Sequence, residues 1–147
     1  MRDEAVPRPY NLQWGEIMNQ KSNLPYRHSI RLYEYDYSSQ GAYFVTICTH
    51  QRQHLFGEIV NEVMNHHFWG DVAWDYWQLV PDHFPHVKID AFVVMPNHVH
   101  GVLFFIQDAH PLGDSKRKGA LGAIIGSYKS FVTKQIHTQF NRIDLIW

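Results

Sequence analysis

Two short apolar runs separated by a proline constrain the fold of this chain more than any other feature. Residues 92–94 (FVV) and 102–106 (VLFFI) flank the segment 95–97 (MPN). Runs of β-branched and aromatic residues this short are typical of buried strands rather than helices. Because Pro96 has no amide hydrogen to donate to a sheet, it marks a turn or the start of a strand. We therefore predict two strands here, either antiparallel neighbours or joined by a tight corner.

His98 and His100 follow this turn, at the start of the second strand. Side chains two residues apart on a strand point to the same face, so the two imidazoles are expected side by side, with Val99 buried behind them. Such a pair is either two ligands of one metal ion or two surface histidines. The pair alone leaves both interpretations open.

The remaining pattern predicts an α+β fold. We expect strands, one of them a short strand or ribbon, and two amphipathic helices, in the order strand, strand, helix, strand, strand, helix. The predicted strands are 42–49, 55–59 with Val63, 87–94 and 98–106, and the predicted helices are 68–80 and 119–140. Helices segregated to one face of an antiparallel sheet give a ferredoxin-like arrangement. Residues 1–25 are predicted to form a loosely ordered arm, and residues 26–147 a single domain.

Composition limits the class of protein. A hydrophobic fraction of 45% supports a folded core, and no apolar run reaches the roughly 18 residues that span a membrane. The N-terminus lacks the apolar region of a secretory signal. The single cysteine, Cys48, excludes an internal disulfide framework and fits the reducing cytoplasm. Within an apolar strand, Cys48 is interpreted as a small buried hydrophobic residue.

Charge is distributed unevenly along the chain. The net charge is −1, but residues 116–142 contain six basic residues and no acidic one. Arg27 and Arg31 form a second basic pair ahead of the first strand. Local basic stripes of this kind are the feature expected in a protein that binds a phosphate backbone. An ordinary solvated helix face remains the alternative.

The second helix carries the remaining candidates for chemistry. Tyr128 has a phenol that could attack phosphorus and form a covalent phosphotyrosine. Gln135 is seven residues further on, shares the same helix face, and could complete the shell of a metal. Lys129 and Lys134 could neutralise a phosphate. Because Tyr128 also lies in an apolar stripe, a core position is the alternative.

The run 90–101 (DAFVVMPNHVHG) resembles the signature of the single-tyrosine HUH transposases, and most closely their REP-associated tyrosine transposase-like branch. Further segments resemble the family in the same order along the chain. These are 27–32 (RHSIRL), 43–49 (YFVTICT), 55–59 (LFGEI) and 124–130 (IIGSYKS). The resemblance extends from about Arg27 to the end of the chain.

This resemblance implies a domain that nicks and rejoins single-stranded or hairpin DNA in the cytoplasm, at the nucleoid. His98 and His100 would hold Mg²⁺ or Mn²⁺ at the scissile phosphate, and a helix tyrosine would form a 5′-phosphotyrosine link. Tyr128 is the only tyrosine on this helix, although relatives carry theirs about one turn further along. Some relatives are homodimers and others monomers. The implied DNA contacts are Arg27, Arg31, Lys116, Arg117, Lys118, Lys129 and Lys134.

Three other interpretations stay open. Relatives continue beyond the position of Trp147, which implies a C-terminally truncated copy, and such a copy could be an inactive DNA-binding remnant. The second is an unrelated metal-dependent phosphoesterase that uses His98, His100 and a carboxylate such as Asp90. The third is a structural protein whose histidines lie at the surface.

Overall fold

The structure is a computed structural model that describes residues 31–107, 109, 119–141 and 145–147. The chain divides into two units, residues 1–33 and 34–147, and the elements below belong to the second. They are β1 (Gly41–Cys48), a 3-10 turn (His50–Arg52), β2 (Gly57–Val60), β3 (Val63–His66), α1 (Phe68–Gln78), α2 (Val80–His83), β4 (Val87–Met95), β5 (His98–Phe105) and α3 (Leu121–Phe140). The predicted arm, residues 1–25, lies outside the described residues.

A three-stranded antiparallel sheet in the order β1-β5-β4 forms the centre of the fold. β4 and β5 are joined by the turn at Pro96 and Asn97, so the two apolar runs are antiparallel neighbours. A bulge shifts the β4 register between Ile89 and Ala91. The segment predicted as a short strand or ribbon is a separate β2–β3 hairpin.

The two faces of the sheet differ because the side chains of β5 alternate. Val99, Leu103 and Phe105 are buried beneath α1 and α3. The opposite, open face carries Phe44, Thr46 and Cys48 of β1 and His98, His100, Val102 and Phe104 of β5. The α+β class with two main helices on one face is thus confirmed. Cys48 is exposed, so its interpretation as a buried residue was wrong: alternation along β1 turns it to the open face.

The helices follow their apolar spacing. On α3, Ile124, Tyr128, Val132 and Ile136 recur every four residues and are all buried. Asn141 ends α3 in the left-handed conformation, at φ 46° and ψ 43°, as expected of a residue that caps a helix. The predicted helix 68–80 is divided, since α1 ends at Gln78 and Pro81 lies in the first turn of α2. No helix in the described residues is long and apolar enough to cross a membrane.

Trp77 joins the helices to the central strand. Its fully buried ring stacks on Phe92 of β4 at 4.5 Å between centroids and meets Tyr128 of α3 edge-on at 5.1 Å. The same ring lies over the backbone of Gly101 on β5, where an added Cβ would stand 2.3 Å from Trp77 Cζ2. Only glycine therefore lets Trp77 approach the middle of the sheet this closely.

We expect Gly101→Ala to lower the free energy of unfolding by about 1–3 kcal/mol, because the added methyl overpacks the core against Trp77. Gly126→Ala is the matched control, since a Cβ at Gly126 meets nothing within 4 Å. That variant is expected to be neutral or more stable by up to about 1 kcal/mol. Urea unfolding followed by tryptophan fluorescence measures both. Equal stability of the two variants would contradict the packing described.

Candidate metal site

His98 and His100, the histidine pair, lie half-buried on the open face of β5, beside the turn at Pro96. In the sheet register, His98 lies between Cys48 and Met95, and His100 between Thr46 and Val93. Their Nε2 atoms are 3.0 Å apart. The two imidazoles thus share one face, as the alternation of a strand predicts.

Each ring of the histidine pair is also held at its other nitrogen. His98 Nδ1 lies 2.7 Å from Asn97 Oδ1, and His100 Nδ1 lies 2.8 Å from Thr46 Oγ1. Phe44 stacks on the His100 ring at 5.3 Å between centroids. These contacts fix both ring orientations and leave the two Nε2 atoms facing each other.

The contacts determine where the protons lie. The Asn97 oxygen can only accept a hydrogen bond, so His98 donates from Nδ1 and carries its lone pair on Nε2. His100 must then donate from Nε2 to His98, and its Nδ1 accepts the hydrogen of the Thr46 hydroxyl. The Asn97 amide is oriented by its own nitrogen, which donates to the Arg52 carbonyl at 3.3 Å.

A divalent cation fits this donor set. A hydroxyl both donates and accepts, so Thr46 can turn to accept from His100 Nδ1 and thereby release the second Nε2 lone pair. Adjacent ligands of an octahedral metal at about 2.1 Å are about 3.0 Å apart, which equals the observed separation of the Nε2 atoms. Among the described residues no group of three or more His, Cys, Asp or Glu side chains is placed to hold a metal. Water or substrate would therefore have to fill the other positions.

Electrostatics favour the neutral form of His98. Burial lowers the pKa of His98, and the nearby His100 and Arg52 lower this pKa further. Metal ligation requires a neutral imidazole. A lowered pKa keeps His98 neutral at physiological pH, so binding there does not have to displace a proton from it.

Arg52 is a neighbour of the pair that the sequence analysis missed. It lies in the 3-10 turn, where Gln51 and Arg52 both have positive φ values, of 50° and 54°. Thr49 Oγ1 fastens this turn, lying 2.7 Å from the Gln53 carbonyl and 3.0 Å from the Asn97 carbonyl. The turn is thus tied to the residue that orients His98. Two successive left-handed non-glycine residues are a costly conformation of the kind that clusters at functional sites.

Tyr128, the predicted nucleophile, is not beside the histidine pair. Its hydroxyl is buried and donates to the Ala73 carbonyl at 2.9 Å, and burial raises the pKa of the phenol. Its ring contacts Trp77, which covers the helix side of Gly101, whereas His100 points to the opposite side. The sheet therefore separates the phenol from the pair, and the expected proximity was wrong because Tyr128 belongs to the core stripe of α3.

The two other proposed ligands are also elsewhere. Gln135 lies in the helix layer, where its Oε1 accepts from the Tyr76 hydroxyl at 3.3 Å. Asp90 is exposed at the β4 bulge. Val93 pairs with His100 across the sheet. Asp90 is three residues from Val93 along β4, which places its backbone roughly 10 Å from that pair. The structure thus places neither side chain beside the pair.

Three of the predicted DNA-binding residues lie in the part of the chain that the structure describes. Lys129 and Lys134 lie on the side of α3 that faces away from the core, not at the histidine pair. Arg31 belongs to the first unit and is exposed. Arg27, Lys116, Arg117 and Lys118 lie outside the described residues.

No known family model matches the chain. The solved structure of a REP-associated tyrosine transposase bound to a REP hairpin is similar at 18% identity and a TM-score of 0.44, over 80% of this chain and 57% of that one. The present chain thus spans little more than half the length of that transposase. A likeness this slight defines neither the fold nor the activity.

A protein of Haemophilus influenzae, described as uncharacterized, is 36% identical over 124 residues. The alignment covers 76% of this chain and 69% of the Haemophilus protein. Identity of this level over most of both chains indicates common descent. The chain therefore belongs to the same family as the Haemophilus influenzae protein.

Proposed function

We propose that this protein binds single-stranded or hairpin DNA and acts on one of its phosphodiesters at the histidine pair, with Mg²⁺ or Mn²⁺ as cofactor. The observation that carries the proposal is the pair itself, with both Nε2 atoms 3.0 Å apart and both Nδ1 atoms held. The choice of DNA as the polyanion is supported by the resemblance of residues 90–101 to the HUH transposase signature. In this proposal the protein acts on DNA at the nucleoid.

The residues around the pair have distinct roles in this proposal. His98 and His100 would hold the cation through Nε2, while Thr46 and Asn97 orient the two rings. The metal, when bound, would polarise a non-bridging phosphate oxygen. Arg52, whose charge acts on His98, would neutralise part of the phosphate charge at the same face.

The attacking group is not identified by the histidine pair. Tyr128 does not supply it, because its hydroxyl is buried and bonded to the Ala73 carbonyl. Formation of a 5′-phosphotyrosine would need a hydroxyl that reaches the open face of the sheet. Its source in this proposal is a residue outside the described ranges, either of the same chain or of a second copy. The burial of Tyr128 also favours a second candidate function, a DNA-binding domain of the same family without strand cleavage.

Substitution of both histidines tests the metal site. His98→Ala/His100→Ala should weaken Mn²⁺ binding at least about tenfold and abolish metal-dependent cleavage of a labelled hairpin, while the fold is retained because the pair lies at the sheet surface. Titration calorimetry, gel analysis and circular dichroism give the three readouts. His83→Ala, which removes an exposed imidazole from α2, is the control. Undiminished Mn²⁺ binding by the double variant would refute the site, and hairpin binding by the wild type without cleavage would select the second candidate.

Arg52 should contribute to DNA rather than to metal binding. Arg52→Gln is expected to weaken hairpin binding in fluorescence anisotropy about ten- to thirtyfold, since a charge-assisted hydrogen bond worth about 1.5–2 kcal/mol is lost, and to leave Mn²⁺ affinity within about twofold. Lys88→Gln is the control, because Lys88 pairs with Phe104 at the far end of the sheet. Equal effects of the two substitutions would show that Arg52 has no local role.

Tyr128→Phe separates a structural from a catalytic phenol. Loss of the hydrogen bond to the Ala73 carbonyl should lower the free energy of unfolding by about 0.5–1.5 kcal/mol, the net contribution of one hydrogen bond, because this carbonyl keeps its place in the backbone bonding of α1. Covalent protein–DNA adducts, if the wild type forms them on a hairpin, should persist in the variant. Denaturing gels with Mn²⁺ and labelled DNA measure this. Loss of adducts with unchanged stability would instead identify Tyr128 as the nucleophile.

A further inference from the structure

The outward side of α3 carries two parallel rows of polar side chains. One row consists of Lys129, Thr133 and His137, and the other of Ser130, Lys134 and Thr138, each with a spacing of four residues. Residues four apart are neighbours on a helix surface. Together with Trp147, the two rows line an open groove of about 600 Å³, the outer groove.

The outer groove has the chemistry of an anion site. All six helix side chains can donate a hydrogen bond, and two of them are lysines. Among the residues that the structure describes, none of those lining the groove is acidic, and the sequence has no acidic residue in 119–140. The protein as a whole has a net charge of −1, so this concentration of donors and positive charge is local to one face of α3.

Trp147 gives the outer groove a fixed aromatic wall. Its Nε1 donates to the Lys129 carbonyl at 3.1 Å. Its ring packs on Phe56 and Tyr128 at 5.3 and 5.8 Å between centroids, and Lys129 Nζ lies 5.8 Å from the ring centroid. An aromatic surface beside positive charges is the combination that binds the backbone and bases of single-stranded nucleic acid.

The outer groove cannot serve the same nucleotide as the histidine pair. The buried side of α3 faces the sheet, so the groove lies on the far side of the helix layer, whereas the pair lies on the open face of the sheet. From Lys129 to His137 the helix rises about 12 Å. This length accommodates a short stretch of one strand.

We infer that the outer groove is a second DNA site, which binds the phosphate backbone of a strand that flanks the reacting nucleotide. The inference rests on the proposed function for the identity of the polyanion. DNA bound at both sites has to pass around an edge of the domain. A hairpin with a single-stranded extension should therefore bind more tightly than the hairpin stem alone.

The test compares two double variants. Lys129→Gln/Lys134→Gln should weaken binding of a fluorescein-labelled hairpin with a single-stranded extension. It should also reduce the slope of log K against log salt by about 1.4, since each single-strand phosphate contact contributes about 0.7. Lys129→Arg/Lys134→Arg keeps the charge and should retain both the affinity and the slope. Mn²⁺ binding at the histidine pair should be unchanged in both.

A second measurement uses the wild-type protein. The DNA should protect Lys129 and Lys134 from acetylation, detected by mass spectrometry, whereas Lys88 should stay reactive. An unchanged salt slope in the glutamine variant, or no protection of the two lysines, would overturn the inference while leaving metal-dependent chemistry at the pair intact. Absence of any DNA binding by the wild type would instead refute the proposed function.

Discussion

The contact between Trp77 and the backbone of Gly101 determines how the rest of the domain is arranged. This contact brings α1 onto the central strand. The Trp77 ring also stacks on Phe92 of β4 and meets Tyr128 of α3 edge-on, so one ring connects four elements. Because neighbouring side chains on a strand point in opposite directions, covering Gly101 on one side commits His100 to the other. The open position of the histidine pair is thus a consequence of how the core is packed.

The rigidity of the pair follows from partners that are distant in the sequence. Thr46 reaches His100 only because β1 and β5 are paired in one register, and Asn97 connects His98 to the turn that holds Arg52. A shift of one residue between the strands would turn Thr46 to the opposite face. Strand pairing therefore fixes the ring orientations as well as the sheet, and it directs the two Nε2 atoms toward one point.

Local periodicity predicted the parts of this structure that depend on near neighbours. Spacings of two to four residues predicted the shared face of His98 and His100 and the inward stripe of α3. The missing amide hydrogen of Pro96 predicted the turn. The same stripe explains the failure at Tyr128: its position between Ile124 and Val132 requires burial, and the hydroxyl finds the Ala73 carbonyl, 55 residues away. No local pattern shows such a partner. The roles of Thr46 and Arg52 were missed for the same reason, since they appear only once strand register is known.

The two faces of the domain now impose different requirements on any DNA substrate. The inward positions of α3 are used by the core, so this helix offers the sheet no reactive hydroxyl, and its outward positions form the outer groove. A nucleophile for the histidine pair must accordingly approach from the open side, where exposed Phe44 and Phe104 leave the sheet surface accessible. Under the proposed function, this arrangement would separate the surface that holds the DNA from the surface that reacts with it. Under that proposal, a hydroxyl that reaches the open face, rather than α3, would decide whether strand cleavage occurs.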